Sequence, residues 1–244
     1  MNKTIISIDV GIKNLAYCIL ERNDKNFTIK KWDIINILDD KLLAMPKCSN
    51  FIKDIQCTKY ASNYIKIKDK DNIYYCDKIV CNKTSAKLYP NCKAKVVKKP
   101  TAKNTSILEL GSILLKKLEL IKSIILDVDE VIIENQPVLK NPTMKSIQMI
   151  IFSYFIGHGY NSPTSKINNV HLFSARNKLK LYDGPKVECT KKNEYDKRKF
   201  LSIEYTKYYL KNDESMLLLF NSHTKKDDLA DSFIQGYYYL FKDS

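Results

Sequence analysis

The stretch Thr4-Ile5-Ile6-Ser7-Ile8-Asp9-Val10-Gly11 decides the reading of this 244-residue chain. Five residues of strong β character run into an aspartate, with a glycine two positions on. Ile6 and Ile8 alternate with Ile5 and Ser7, which suits a strand buried on both faces of a central sheet. A carboxylate at the end of such a strand is costly unless a positive partner meets it. A bound cation is one such partner, and a salt bridge or a capping role is another. Gly11 permits a tight turn or a close backbone approach on the way into the next strand.

Working outward, residues 14–21 (NLAYCILE) and 27–35 (FTIKKWDII) read as a second and a third strand, joined by a turn at 23–26. Residues 105–126 carry apolar positions at helical spacing. Residues 129–134 (DEVIIE) form a short buried strand, closed by Pro137. A helix opens at Asn141-Pro142 and ends near Gly157 and Gly159, a fifth strand covers 169–173 (NVHLF), and helices cover 195–210 and 225–241. The order is βββ, insertion, α, β, α, β, α, α. Strands 1, 4 and 5 are then parallel through helical crossovers, and strands 2 and 3 meander off strand 1. The expected architecture is α/β, a mixed five-stranded sheet flanked by helices. Residues 1–44 and 101–244 make the main domain, and the polar, lysine-rich stretch 45–100 is an insertion without sustained period.

The chain carries 41 basic and 27 acidic residues, a formal charge of +14. Such an excess favours a polyanionic partner, nucleic acid before an anionic membrane, because no segment reads as a basic amphipathic helix. No apolar run is long enough for a membrane span, and the basic start leads into a strand, so an intracellular protein is expected. Seven cysteines without a secretion signal argue against a disulfide framework.

Glu134 ends strand 4 as Asp9 ends strand 1, so both carboxylates project at one sheet edge. The last helix adds Asp227, Asp228 and Asp231, where either 228/231 or 227/231 shares a face. Acidic residues in a first helical turn are also ordinary partners of the helix dipole. Taken together, converging hard oxygen ligands suit Mg²⁺ or Mn²⁺ rather than zinc. Two such ions would activate water and stabilise the departing oxygen of a phosphodiester. There is no Walker-type phosphate loop. A basic protein with a carboxylate metal pair points to a nuclease.

Three motifs, IDVGIKN at 8–14, IENQP at 133–137 and KDDLADS at 226–232, resemble the poxvirus-type Holliday junction resolvases, relatives of bacterial RuvC and of the fungal mitochondrial cruciform-cutting endonucleases. Residues 195–199 (YDKRK) with 202–204 (SIE) resemble that family's basic helix start. The resemblance covers most of the chain outside roughly 45–100. It implies a ribonuclease H-like fold, a homodimer, and metal-dependent paired nicking of four-way DNA junctions. It makes Asp9, Glu134, Asp228 and Asp231 the metal ligands, with Asp228 favoured over Asp227. Lys199 becomes the match to the catalytic lysine, with Lys197 and Arg198 as alternatives in the same turn. Cytoplasmic viral replication would suit such a protein. Rival readings are a zinc-bearing nucleic-acid binder without catalysis and a nuclease for RNA–DNA hybrids or other branched DNA.

In the insertion, the segments beginning at Cys57 and Cys81 echo each other, and each is followed by a further cysteine, Cys76 and Cys92. A duplicated cysteine loop closing on one ion is how a small Cys₄ zinc site is built. Cys57, Cys76, Cys81 and Cys92 are the expected zinc ligands, with Cys48 as a substitute for one of them. With few apolar residues in the insertion, metal binding would supply its folding energy. Cys18 reads as a core residue.

Overall fold

A computed structural model describes residues 2–68, 70–139 and 141–243. The chain divides into two compact units, one of residues 1–37 with 106–244 and one of 38–105.

The first unit begins with β1 (Lys3–Asp9), β2 (Leu15–Asn23) and β3 (Asn26–Ile35). Ile5, Ile6, Ser7 and Ile8 are at most 1% exposed, as a strand covered on both faces requires. β1 pairs antiparallel with β2, and β2 with β3. The hairpin between β2 and β3 turns at Asp24, whose φ of 55° is one that aspartate tolerates. At the other turn, a Cβ on Gly11 would lie 2.3 Å from the carbonyl oxygen of Asn14, so the tight reversal into β2 requires glycine.

The second unit holds the short helix α1 (Asp39–Leu43) and the two-residue strands β4 (Phe51–Ile52) and β5 (Ile55–Gln56). β6 (Asn63–Ile65), β7 (Ile73–Tyr75), α2 (Ile79–Leu88) and β8 (Ala94–Val96) follow. β4 and β5 form a hairpin, and β7-β6-β8 form an antiparallel sheet. Lys53 and Asp54 both take positive φ, which shapes the two-residue hairpin turn.

The first unit resumes with α3 (Ile107–Leu120) and the one-turn α4 (Lys122–Ile125). Ser106 and Glu109 form the first half of a capping box, the Ser106 hydroxyl accepting from the Glu109 N–H. The single helix expected over 105–126 is interrupted at Ile121, whose backbone (φ −115°, ψ 13°) leaves the helical region. Next come β9 (Glu130–Glu134), α5 (Pro142–Phe155), a π turn at Ile156–Tyr160 and β10 (Asn169–Phe173). Asn141 caps α5 with Pro142 in its first turn, where a missing N–H costs nothing. A 3₁₀ segment (Ala175–Leu181) leads to α6 (Glu194–Tyr209), α7 (Glu214–Ser222) and α8 (Lys226–Phe241).

The sheet order is β10-β9-β1-β2-β3, with β1, β9 and β10 parallel. This is the mixed five-stranded sheet that the order of elements predicts. α8 lies on one face, where Phe233, Ile234 and Leu229 pack with Ile5, Cys18, Leu20, Trp32 and Ile132. Its approach is close. A Cβ on Gly236 would come within 2.6 Å of Leu20 Cδ1 and 2.9 Å of Ser7 Cβ. The indole N–H of Trp32 donates to the Leu229 carbonyl at 3.1 Å and its ring stacks on Phe220. These contacts fix the rotation of α8, and with it the direction of the carboxylates in its first turns.

Candidate active site

Asp9 is the last residue of β1 and Glu134 the last of β9, and the pairing of Ile8 with Ile133 sets the two carboxylates side by side. Burial pushes the Asp9 carboxyl well above the usual carboxylate range. Its hydrogen bond to Glu134 and the charges of Glu134 and Asp231 push the same way, and Lys178 opposes them. Three acidic groups from β1, β9 and α8 therefore share one field at the carboxyl end of the parallel strands.

Glu134 and Asp231 are held from behind. The Gln136 side-chain amide donates to Glu134 Oε2 at 2.8 Å, and the Gln136 backbone N–H donates to Gln148 Oε1 at 2.8 Å. Ser202 Oγ donates to Asp231 Oδ1 at 2.7 Å. Lys178 Nζ sits 2.7 Å from the same Asp231 oxygen, its side chain only 12% exposed. Burial would depress this ammonium, but Asp231, Asp9 and Glu134 together hold its pKa above the ordinary lysine value.

Asp228 lies one turn before Asp231. Its carboxyl is pushed up to about 6 by burial and by Asp227, with Asp231 adding and Lys199 and Lys225 opposing. Asp227 is engaged elsewhere, its Oδ2 lying 2.5 Å from Lys199 Nζ. Against the effect of burial, that ammonium holds Asp227 below the usual range. The choice between Asp227 and Asp228 is thus a physical one: Asp227 is paired with Lys199, whereas Asp228 forms no salt bridge among the described residues.

Of the five residues expected at the centre, Asp9, Glu134 and Asp231 are brought together, and Asp228 stands next to Asp231. Lys199 is bound to Asp227 instead, with its ammonium 4.9 Å from the centre of the Tyr195 ring. Lys197 and Arg198 are exposed. Lys178 is the cation among the central carboxylates. Sequence reasoning missed it because it is one lysine in a lysine-rich loop. The available signal was its place five residues beyond the end of β10, the strand next to β9.

Four thiols meet in the second unit. Cys48, Cys57, Cys76 and Cys81 are buried, with their sulfurs within 4.8 Å of one another. Among the described residues this is the one group of three or more Cys, His, Asp or Glu ligand atoms that close. Cys92 is not part of it. It is exposed in the turn after α2, its N–H donating to the Tyr89 carbonyl, and Cys48 takes the fourth place. The echo between the two cysteine segments misled because the fourth sulfur comes from upstream of β4. There the Cys48 N–H donates to the Lys59 carbonyl at 2.8 Å, laying Cys48 beside the segment that carries Cys57.

Residues 5–138, more than half of the chain, match the family described as mitochondrial resolvase Ydc2 / RNA splicing MRS1. The chain belongs to that family. An uncharacterised protein of Acanthamoeba polyphaga mimivirus is 29% identical over 310 aligned residues, covering 97% of this chain and 74% of that protein. Among solved structures, fowlpox virus resolvase in complex with Holliday junction DNA aligns over 98% of this chain and 97% of its own, with 16% identity and a TM-score of 0.49. Yeast mitochondrial Ydc2 aligns over 98% and 84%, with 15% identity and a TM-score of 0.48. Among the described residues no helix is long and apolar enough to cross a membrane.

Proposed function

We propose that this member of the Ydc2 family is a metal-dependent endonuclease that resolves four-way DNA junctions. One observation carries the reading: Asp9, Glu134 and Asp231, distant in sequence, share a single electrostatic site at the carboxyl end of the sheet. The chemistry of the donor set fits a hard divalent cation. The site is rich in carboxylate oxygens, and burial together with neighbouring carboxylates disfavours the charged forms of Asp9 and Asp228. Asp9, Glu134, Asp228 and Asp231 would hold two Mg²⁺ or Mn²⁺ ions, whose chemistry when bound would be activation of water and stabilisation of the departing oxygen of the phosphodiester.

The chain's own residues prepare that site. Gln136 orients Glu134, and Ser202 orients Asp231. Lys178 offsets the cluster's charge until a cation arrives, and its ammonium can then turn to a non-bridging phosphate oxygen. Lys199 is a positioning residue that keeps Asp227 out of the ligand set.

The junction preference draws on the motif resemblance and on the resolvase half of the family description. Net charge of +14 supports a polyanionic substrate, read by phosphate geometry more than by base edges. Cutting two opposed strands needs two centres, so the reading includes a homodimer. The open apolar cleft between α3 and α5, lined by Leu115, Met149 and Tyr154, is a face suited to it. The mimivirus relative supports a setting in viral genome processing.

The test is a panel of a synthetic four-way junction, linear duplex, RNA–DNA hybrid and folded RNA, each incubated with the full chain and Mg²⁺. Paired nicks in the junction, lost in Asp231→Asn while binding persists, are expected. Binding without cutting would leave a non-catalytic nucleic-acid binder, in line with the splicing half of the family. Preferential cutting of the hybrid would replace the junction by another substrate.

A further inference from the structure

We infer that residues 38–105 form a zinc module in which one Zn²⁺ is held by the thiolates of Cys48, Cys57, Cys76 and Cys81. This assignment is independent of the nuclease centre, which lies wholly in the other unit.

Distance is the first argument. A tetrahedral ZnS₄ centre has Zn–S bonds of about 2.3 Å, which sets its sulfurs about 3.8 Å apart. Cys57 Sγ and Cys76 Sγ lie 3.8 Å apart, and all four sulfurs lie within 4.8 Å of one another. A disulfide would need about 2.05 Å. Every described cysteine is free.

The backbone around the sulfurs gives a second argument. The Lys59 N–H bonds to the Cys57 sulfur and the Lys78 N–H to the Cys76 sulfur, each from two residues downstream. Such paired N–H···S bonds stabilise anionic sulfur, which is the form that binds metal. Cys48 and Cys57 flank the β4–β5 hairpin, while Cys76 follows β7 and Cys81 lies in the first turn of α2. Buried Asn50 ties the two halves, its amide donating to the Cys81 carbonyl at 2.8 Å and to Ser85 Oγ at 3.0 Å.

The core of the unit supplies the third. Its buried cluster is Cys48, Cys57, Ile65, Tyr75, Cys76 and Cys81, so four of six members are cysteines. So few apolar side chains cannot offset the ordering entropy of such a unit. A metal bound by all four thiolates adds the missing free energy, because the site exists only when the unit is folded. The same 38–105 stretch carries 15 lysines against six aspartates, a net +9 of the chain's +14. Four thiolates around Zn²⁺ would leave a local charge of −2 in a unit that is otherwise strongly basic.

The experiment is metal analysis of the full chain purified without chelator, followed by cobalt substitution. About one Zn²⁺ per chain is expected, with Co²⁺ giving the absorption bands of tetrahedral thiolate ligation. Cys92→Ser and Cys189→Ser should keep the full equivalent, while Cys48→Ser should fall below about half of it. Zinc-free protein that takes up neither Zn²⁺ nor Co²⁺ after reduction would overturn the assignment. So would zinc that survives Cys48→Ser and is lost in Cys92→Ser, or alkylation showing the four cysteines paired as disulfides. If Cys48→Ser fails to fold, the cobalt spectrum of the wild type and the Cys92→Ser stoichiometry still decide. None of these readouts depends on nuclease activity.

Discussion

Replacing Asp228 by Asn should stabilise the protein in the absence of Mg²⁺ while removing its metal-dependent activity. A carboxyl raised from 3.8 to about 6 binds its proton more tightly in the folded state than in the unfolded one. Stability therefore falls as pH rises from about 4 to about 6, and the deficit is complete above that. The full rise corresponds to about 3 kcal/mol. Asp228 is only half-buried, and screening by water reduces this to about 1–2 kcal/mol. For a protein of this size that is a melting temperature higher by about 2–8 °C in the Asn variant. Thermal unfolding should show this gap at pH 7.5 without added Mg²⁺, and it should vanish at about pH 4. Adding Mg²⁺ should raise the wild type more than the variant, because the ion binds the folded carboxylates. A variant that melts lower than the wild type at pH 7.5, or a gap independent of pH, would refute the electrostatic reading.

Lys178→Met removes the ammonium 2.7 Å from Asp231 and should lower junction cleavage by about 100-fold with binding retained. The same change at Lys199 should cost less, since Lys199 engages Asp227; equal losses in single-turnover assays would contradict the division of roles. Cleavage by the wild type should rise with pH through about 6, as Asp228 gives up its proton to metal binding, and a rate flat from pH 5 to 8 would count against Asp228 as a ligand. Gly236→Ala forces a Cβ to within 2.9 Å of Ser7 Cβ on the central strand and should destabilise by about 1–3 kcal/mol, read by urea unfolding. Changing the exposed Lys93, Lys95, Lys98 and Lys99 to Ala should flatten the salt dependence of DNA binding by about 0.9 in slope for each lost phosphate contact.

The sheet was legible because its signals are local: the buried isoleucines of β1, the turn residues between β2 and β3, and the proline beyond β9. Strand ends also announced Asp9 and Glu134, because a carboxylate closing an apolar strand is rare enough to notice. The break at Ile121 was not legible, since the apolar spacing continues through it and only the backbone leaves the helix. Helix α7 went unread for a similar reason. Its run MLLLF has no clean period, and Phe220 finds its partner in Trp32, nearly two hundred residues away in sequence. Lys178 was hidden by composition, because one cation among so many lysines is distinguished only by tertiary contact with Asp231. Cys48 was passed over for Cys92 because the repeat in sequence is not the repeat in space. Backbone pairing across the β4–β5 hairpin, and not the spacing of thiols, decides which sulfur completes the four.

The most direct measurement is the anomalous scattering of Mn²⁺ soaked into crystals of the full chain. Two peaks are expected at the end of β1 and β9, about 2.1 Å from carboxylate oxygens of Asp9, Glu134, Asp228 and Asp231, and both should weaken in Asp9→Asn. A junction-cutting protein whose Mn²⁺ peaks lie away from Asp9 and Glu134 would contradict the account.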